Sequence, residues 1–180
     1  MSGHNKWSQI KRQKGATDAK KSKIFGKYAR LITLESKKSN GNVSDPALRS
    51  VIEKAKAANM PADNIERAVK KGLGSDAGNM EPVLYEAYGP GGSALVVEGL
   101  TDNKNRTAQD IKHILSKNGS ALAAPGSATW AFTHTSDGWE PQNELALSPE
   151  DASALENLID ALEENDDVQD VYTNATFPDV

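Results

Sequence analysis

Residues 17–38 read TDAKKSKIFGKYARLITLESKK. Thr17 or Asp18 can cap a helix here, because a short side-chain oxygen satisfies amide donors that the first turn leaves open. Ile24, Phe25, Tyr28, Leu31 and Ile32 then recur at i, i+1, i+4, i+7 and i+8, one face of a helix running to about Lys38. Lys20, Lys23, Lys27 and Arg30 recur at i, i+3, i+7 and i+10 and fall away from that face. The helix is therefore predicted to carry an apolar side for its own domain and a cationic side for something else.

The cationic side continues upstream. Between His4 and Arg30 the chain holds Lys6, Lys11, Arg12, Lys14, Lys20, Lys21, Lys23, Lys27 and Arg30 against one acid, Asp18. A segment this basic is hard to bury and attracts polyanions by releasing their condensed counterions. The alternative is a solvated face whose lysines aid solubility, but ordinary surfaces mix the two signs. Residues 1–16 show little periodicity and are expected to form an irregular basic arm. Trp7 is expected to plug the helical domain rather than to stack on an unpaired base.

Charge divides the chain. Residues 1–78 hold 17 Lys and Arg against 7 Asp and Glu, a net of +10, while residues 79–180 hold 4 against 18, a net of −14. The overall charge of −4 hides this asymmetry, which predicts two modules with different partners: residues 1–78, basic and helical, and 79–180, acidic. No apolar run approaches the roughly 18 residues that span a membrane. The basic start lacks the apolar stretch of a secretory signal, and its lysines outnumber the arginines that a mitochondrial presequence favours. With no cysteine in the chain, disulfides and thiolate metal sites do not arise. A cytoplasmic location is expected.

Further on, Asp45-Pro46 is an N-cap and first-turn pair opening a second helix to about Ala58, with Leu48, Val51, Ile52, Ala55 and Met60 inward. Pro61 is expected at the first position of a third helix, stopped by Gly72. Three helices make a small bundle, and the Gly-rich residues 73–80 a linker. Strand-like runs follow at 83–88 and 94–100, joined by Gly89-Pro90-Gly91-Gly92, which lacks the spacing of a phosphate loop and is read as a hairpin turn. A helix is predicted over 106–117, a strand over 128–133 with Trp130 and Phe132 on one face, and a brief strand at 144–147. Ser148, Pro149 and Asp151 resemble a capping box for a helix to about Glu164, and 168–173 closes as a strand. The fold class is α+β: an N-terminal three-helix bundle, then an open α/β sandwich with helices on one face of a mostly antiparallel sheet.

Lys104 and Arg106 sit where a strand becomes a helix and could offer an anion site, against plain capping by Asp102 or Asn105. Residues 163–167, EENDD, lack the alternating ligands and central glycine of a calcium loop and are read as a solvated acidic turn, so no metal is expected. His4, His113 and His134 share no spacing, and no nucleophile meets a base. No enzyme activity, cofactor or small-molecule substrate is predicted. The partner is expected to be nucleic acid, with a monomer favoured.

The segments GHNKWSQIK, KGATDAKKSKIFGKYAR, AANMPADNIERAVKKG, YEAYGPGGSALVVEGLTDNKNRTAQDIKHIL, PGSATWAF and ALEENDDVQDVYTNA together resemble the YebC/PmpR family over nearly the whole chain. That resemblance implies a probable DNA-binding transcriptional regulator. Mitochondrial members are translational activators and bacterial ones are linked to relief of ribosome stalling, so an RNA- or ribosome-associated translation factor is the alternative, and a protein-interaction adaptor a lesser one. The resemblance also implies three domains, the third inserted into the second. Here only the eight residues 133–140 separate the Trp130–Phe132 segment from Pro141, so the third domain is expected to be absent.

Overall fold

The structure, a computed structural model, describes residues 18–178, and these residues form two compact units, one up to Glu81 and one from Pro82. The fold is α+β. The first unit is three helices, α1 (Asp18–Ser39), α2 (Pro46–Ala57) and α3 (Ala62–Leu73). Asp45 caps α2 as expected, its carboxylate accepting from the Ala47 and Leu48 amides at 3.0 and 3.2 Å. The helix ends with Asn59 in the left-handed region at φ 63°, and the Met60 amide donates back to the Ala55 carbonyl at 3.0 Å. That is a Schellman closure, and it turns the buried Met60 onto the helix it follows. Pro61 is the N-cap of α3 and not its first residue; it donates no hydrogen bond, and its carbonyl accepts from Asn64 and Ile65.

Ile32 of α1, Leu48, Ile52 and Ala55 of α2 and Ile65 and Ala68 of α3 close the core of this unit, with Phe25, Tyr28 and Ala29 packed against it. The apolar side of α1 is therefore Phe25, Tyr28, Ala29 and Ile32, continued by buried Thr33 and Ser36. Ile24 and Leu31, predicted to share it, are half-buried on its flank. Each is one residue, about 100° of rotation, away from Phe25 or Ile32. Small residues let α1 and α3 approach. The Thr33 and Ser36 hydroxyls donate to the Ala68 and Val69 carbonyls at 3.2 and 2.7 Å. Gly72, predicted as a helix stop, lies inside α3, and a Cβ on it would fall 2.6 Å from both the Thr33 carbonyl oxygen and the Ser36 Cβ. It is glycine because a neighbouring helix occupies the space.

In the second unit a four-stranded sheet runs in the order β3 (Ala121–Leu122), β1 (Glu81–Tyr88), β2 (Ala94–Thr101), β7 (Val168–Thr173), with β1–β3 and β2–β7 antiparallel. Gly89-Pro90-Gly91-Gly92 forms the β1–β2 turn as predicted, closed by Gly89 N–H to the Ser93 carbonyl at 2.8 Å. Helices α4 (Lys104–Lys117) and α5 (Pro149–Glu163) bring Ile111, Leu115, Leu155, Leu158 and Leu162 against Leu95 and Val97 of β2 and Ala87 of β1. Ser148 caps α5, accepting from the Asp151 amide at 3.1 Å, while its hydroxyl donates to the Asp151 carboxylate at 3.0 Å.

The opposite side of β2 presents Ala94 and Val96, with Tyr172 of β7 beside Val96, covered by Ala128, Ala131 and Phe132, with Trp139 against them. Here the predicted strand over 128–133 is corrected. Residues 129–131 form a single 3-10 turn, and β4 (Phe132–Thr135) pairs only with β5 (Gly138–Pro141), outside the main sheet. Phe132 is buried and Trp130 is 62 % exposed, so the two do not share a face. A parallel two-residue bridge between β6 (Leu145–Ala146) and β8 (Ala175–Thr176) completes the unit.

Gly72→Ala is expected to lower stability by about 1–3 kcal/mol, the usual cost of overpacking. Gly26→Ala, at a helical position of α1 with nothing within 4 Å of a new Cβ, should raise it by up to about 1 kcal/mol. Urea unfolding of the two variants measures both; equal effects would contradict the helix contact described.

Candidate nucleic-acid interface

The helical geometry of α1 decides which lysines share a side. Lys20, Lys23, Lys27 and Arg30 occupy the side opposite Phe25, Ala29 and Ile32, because each successive residue turns about 100°. All four lie beyond the core contacts of the bundle. Lys21, grouped with them in the sequence, is exposed near the apolar edge, about 160° from Lys23. Lys6, Lys11, Arg12 and Lys14, and with them His4 and Trp7, lie outside the described residues. The stripe also extends further than expected: Lys37 and Lys38 in the last turn are exposed. From Lys20 to Lys38 the row spans about 27 Å at 1.5 Å per residue. Lys38 pairs with Glu35 at 2.8 Å and Lys37 donates to the Gly78 carbonyl at 2.9 Å. Lys38 itself is exposed while Glu35 is half-buried, and an ion pair at a surface contributes little.

The rest of the bundle surface mixes signs. Arg49–Glu53 and Lys70–Glu66 are exposed pairs at 3.0 and 2.9 Å. On α1 the acids Asp18 and Glu35 fall at other helical angles than Lys20, Lys23, Lys27 and Arg30, and half-buried Leu34 separates these four from Lys37 and Lys38.

Lys104 and Arg106 behave differently. Asn103, not Asp102 or Asn105, caps α4 through the Arg106 amide at 3.0 Å. The Arg106 guanidinium donates to Asp102 at 2.8 Å and to Asp167 at 2.9 Å. Asp167 is buried and also accepts from the Thr107 hydroxyl at 2.8 Å, which in turn lies 2.7 Å from the Thr101 hydroxyl. Arg106 is thus met by two carboxylates, an arrangement that ties α4 to the start of β7 instead of presenting an anion site. The same contact corrects the solvated acidic turn: its last residue, Asp167, is a buried partner of α4.

A second buried carboxylate was not foreseen. Glu86 on β1 accepts from the Gly126, Ala128 and Thr129 amides at 2.7, 2.9 and 2.7 Å. Burial pushes this carboxyl up, but the three backbone donors outweigh it and hold it below the ordinary value of 4.5. The segment PGSATW of residues 125–130 is shaped by that one side chain. His113 is exposed on α4, and His134 on β4 packs against Trp139 with ring centroids 4.6 Å apart and the rings tilted by 42°. Among the described residues no group of three or more His, Asp or Glu is placed to hold a metal, and no helix is long and apolar enough to cross a membrane.

The chain is similar to known proteins. A family model described as the TACO1/YebC protein N-terminal domain matches residues 5–75, and one described as the TACO1/YebC second and third domain matches 80–137 and 134–175. The chain belongs to the TACO1/YebC family. A probable transcriptional regulatory protein of Fervidobacterium nodosum is 40 % identical over 240 positions, covering 99 % of this chain and 95 % of that protein. One of Petrotoga mobilis is 47 % identical over 181 positions, covering 96 % and 70 %. The crystal structure of a conserved hypothetical protein, Aq1575, from Aquifex aeolicus superposes with a TM-score of 0.80 at 29 % identity, covering 93 % of this chain and 95 % of that one. The Fervidobacterium alignment has 240 positions against 180 residues here, so at least 60 of them have no counterpart in this TACO1/YebC chain. The match to the second family model divides at 134–137, which is the tip of the β4–β5 hairpin.

Glu86→Gln is expected to lower stability by about 1–3 kcal/mol near neutral pH, since an amide cannot accept from three donors without presenting its own. The folded carboxyl titrates below 4.5, so its contribution is complete above that value and disappears as pH falls through the lower, folded one. The gap between wild type and Glu86→Gln in urea unfolding should therefore close in acid. A gap that persists with the carboxyl protonated contradicts this account.

Proposed function

We propose that this chain is a non-enzymatic, nucleic-acid-binding regulator that acts in the cytoplasm on DNA in transcription. The observation that carries the reading is the single-sign row on α1, with Lys20, Lys23, Lys27 and Arg30 opposite the bundle core. The names of the Fervidobacterium and Petrotoga relatives, probable transcriptional regulatory proteins, support it. Lysine and arginine contacts to phosphates fix the position of a duplex without reading its sequence. Arginine, which pairs bidentately with guanine, supplies only Arg12 and Arg30 of the nine cations between His4 and Arg30, so binding depends weakly on base sequence. The acidic unit repels a polyanion and leaves the helical unit as the docking end.

We further propose that the third family domain is absent between about residues 133 and 140, where β4 and β5 are joined by a tight turn. The basic face then supplies the main contact with nucleic acid.

About six phosphate contacts predict a slope of log K against log salt near −4 to −5. Lys20→Glu, Lys23→Glu and Lys27→Glu combined should abolish binding to a duplex oligonucleotide while leaving the thermal transition nearly unchanged, because all three lie outside the core. Retained affinity, or affinity insensitive to salt, would refute the basic-face reading. Crosslinking in cells with sequencing of the bound nucleic acid should return discrete promoter DNA. Recovery of ribosomal RNA instead would assign the same face to a translation factor.

A further inference from the structure

The second unit carries an aromatic surface that the basic face does not explain. Trp130 is 62 % and Tyr88 39 % exposed. They are neighbours: the Trp130 indole N–H donates to the Tyr88 hydroxyl at 3.2 Å, and that hydroxyl donates to the Ser127 carbonyl. Their exposure is not slack in a loop, because Glu86 clamps residues 126–129 from below through three amides. A buried carboxylate and two side-chain hydrogen bonds hold a large ring outward, which preorganises it for contact. Leu84, 46 % exposed, lies on the same side of β1 as Tyr88 by strand alternation.

Charge identifies the partner. Tyr85 and Ala87 of β1 face the helices, so Leu84, Glu86 and Tyr88 face the other way, toward the side covered by Ala128, Phe132 and Trp139. The four cations of residues 79–180, Lys104, Arg106, Lys112 and Lys117, are all on α4, on the helical side. Among the described residues of this unit the outer side holds no Lys or Arg. It does hold exposed acids, on the β4–β5 hairpin and on the segment that follows it. Exposed Glu140 is paired with Thr133 in the hairpin that leaves Trp130, and exposed Glu144 follows Gln142, whose amide donates to the Ala131 carbonyl at 2.8 Å. Among the described residues of that side a phosphate backbone meets no counter-charge. A cation meets carboxylates and two aromatic rings.

We propose that the outer face of the sheet around Tyr88 and Trp130 is a docking surface for a lysine- or arginine-rich segment of a partner protein. Arginine or lysine side chains lie over the exposed rings, held by cation–π attraction, while Glu140 and Glu144 neutralise neighbouring charges. This surface works independently of the α1 stripe, which takes an anion.

The test is fluorescence anisotropy with the full chain and a labelled peptide of alternating Arg, Lys and Gly as probe. Trp130→Ala should weaken binding about five-fold, and Trp130→Phe should recover most of the loss, as ring faces and not the indole N–H make the contact. Glu140→Gln with Glu144→Gln should weaken it more than the same loss of charge on α5, Glu150→Gln with Glu156→Gln. The Lys20, Lys23 and Lys27 to Glu variant should not weaken peptide binding, so failure here and failure of the nucleic-acid reading are separable. Equal effects from the two pairs of charge changes, or no effect of Trp130→Ala in a protein with unchanged circular dichroism, overturn the proposal. Binding of oligo(dT) that Trp130→Ala abolishes while peptide binding survives would make the face a base-stacking surface and also overturn it.

Discussion

A lysine ammonium cannot be buried without an anion beside it, and that cost orients α1. Four cations at helical spacing leave one side of the helix that can enter a core, and Phe25, Tyr28, Ala29 and Ile32 lie on it. The packing of α2 and α3 follows from the same restriction. α1 has a single apolar side to offer them, and its small residues Thr33 and Ser36 admit α3 closely enough that position 72 has no room for a side chain. The bundle's core and its cationic face are two consequences of one pattern.

The acidic unit solves a different problem. β2 is buried on both sides, by α4 and α5 on one and by residues 128–132 on the other. Only the first cover is regular structure with its own backbone hydrogen bonds. The second is largely loop, and its amides need acceptors. Glu86 supplies them for Gly126, Ala128 and Thr129. Asp167 has the matching task at the far end of the sheet, joining α4 to β7 through Arg106 and Thr107. In a chain rich in acids, two of the carboxylates are therefore internal fasteners.

This division explains how far function could be read from residues alone. The stripe on α1 was legible because helix periodicity converts spacing directly into a face. Lys37 and Lys38 were missed because the spacing of the first four cations breaks at Leu34, although the helix continues beneath it. Arg106 left two readings open, an anion site or plain capping nearby, because the two carboxylates that meet it, one of them 61 residues away, are not visible in local spacing. Trp130 and Phe132 show the same limit. Alternation puts them on one side of a strand, but Glu86 holds the amides of Gly126, Ala128 and Thr129, and the 3-10 turn at 129–131 that follows separates one ring from the other.

The sequence by itself determined the charge division, the α+β class, the helices with their caps at Asp45 and Ser148, the β1–β2 turn and the two-sided character of α1. These are properties of neighbours within one or two turns, where periodicity and capping chemistry act. Only the tertiary structure decided that Gly72 is a contact and not a stop, that Arg106 is neutralised, and that Glu86 and Asp167 are buried acceptors. It also placed Trp130 outward on a face without Lys or Arg among the described residues of its unit. Each of these depends on a partner 36 to 61 residues distant, and the identity of such a partner is not written into local spacing.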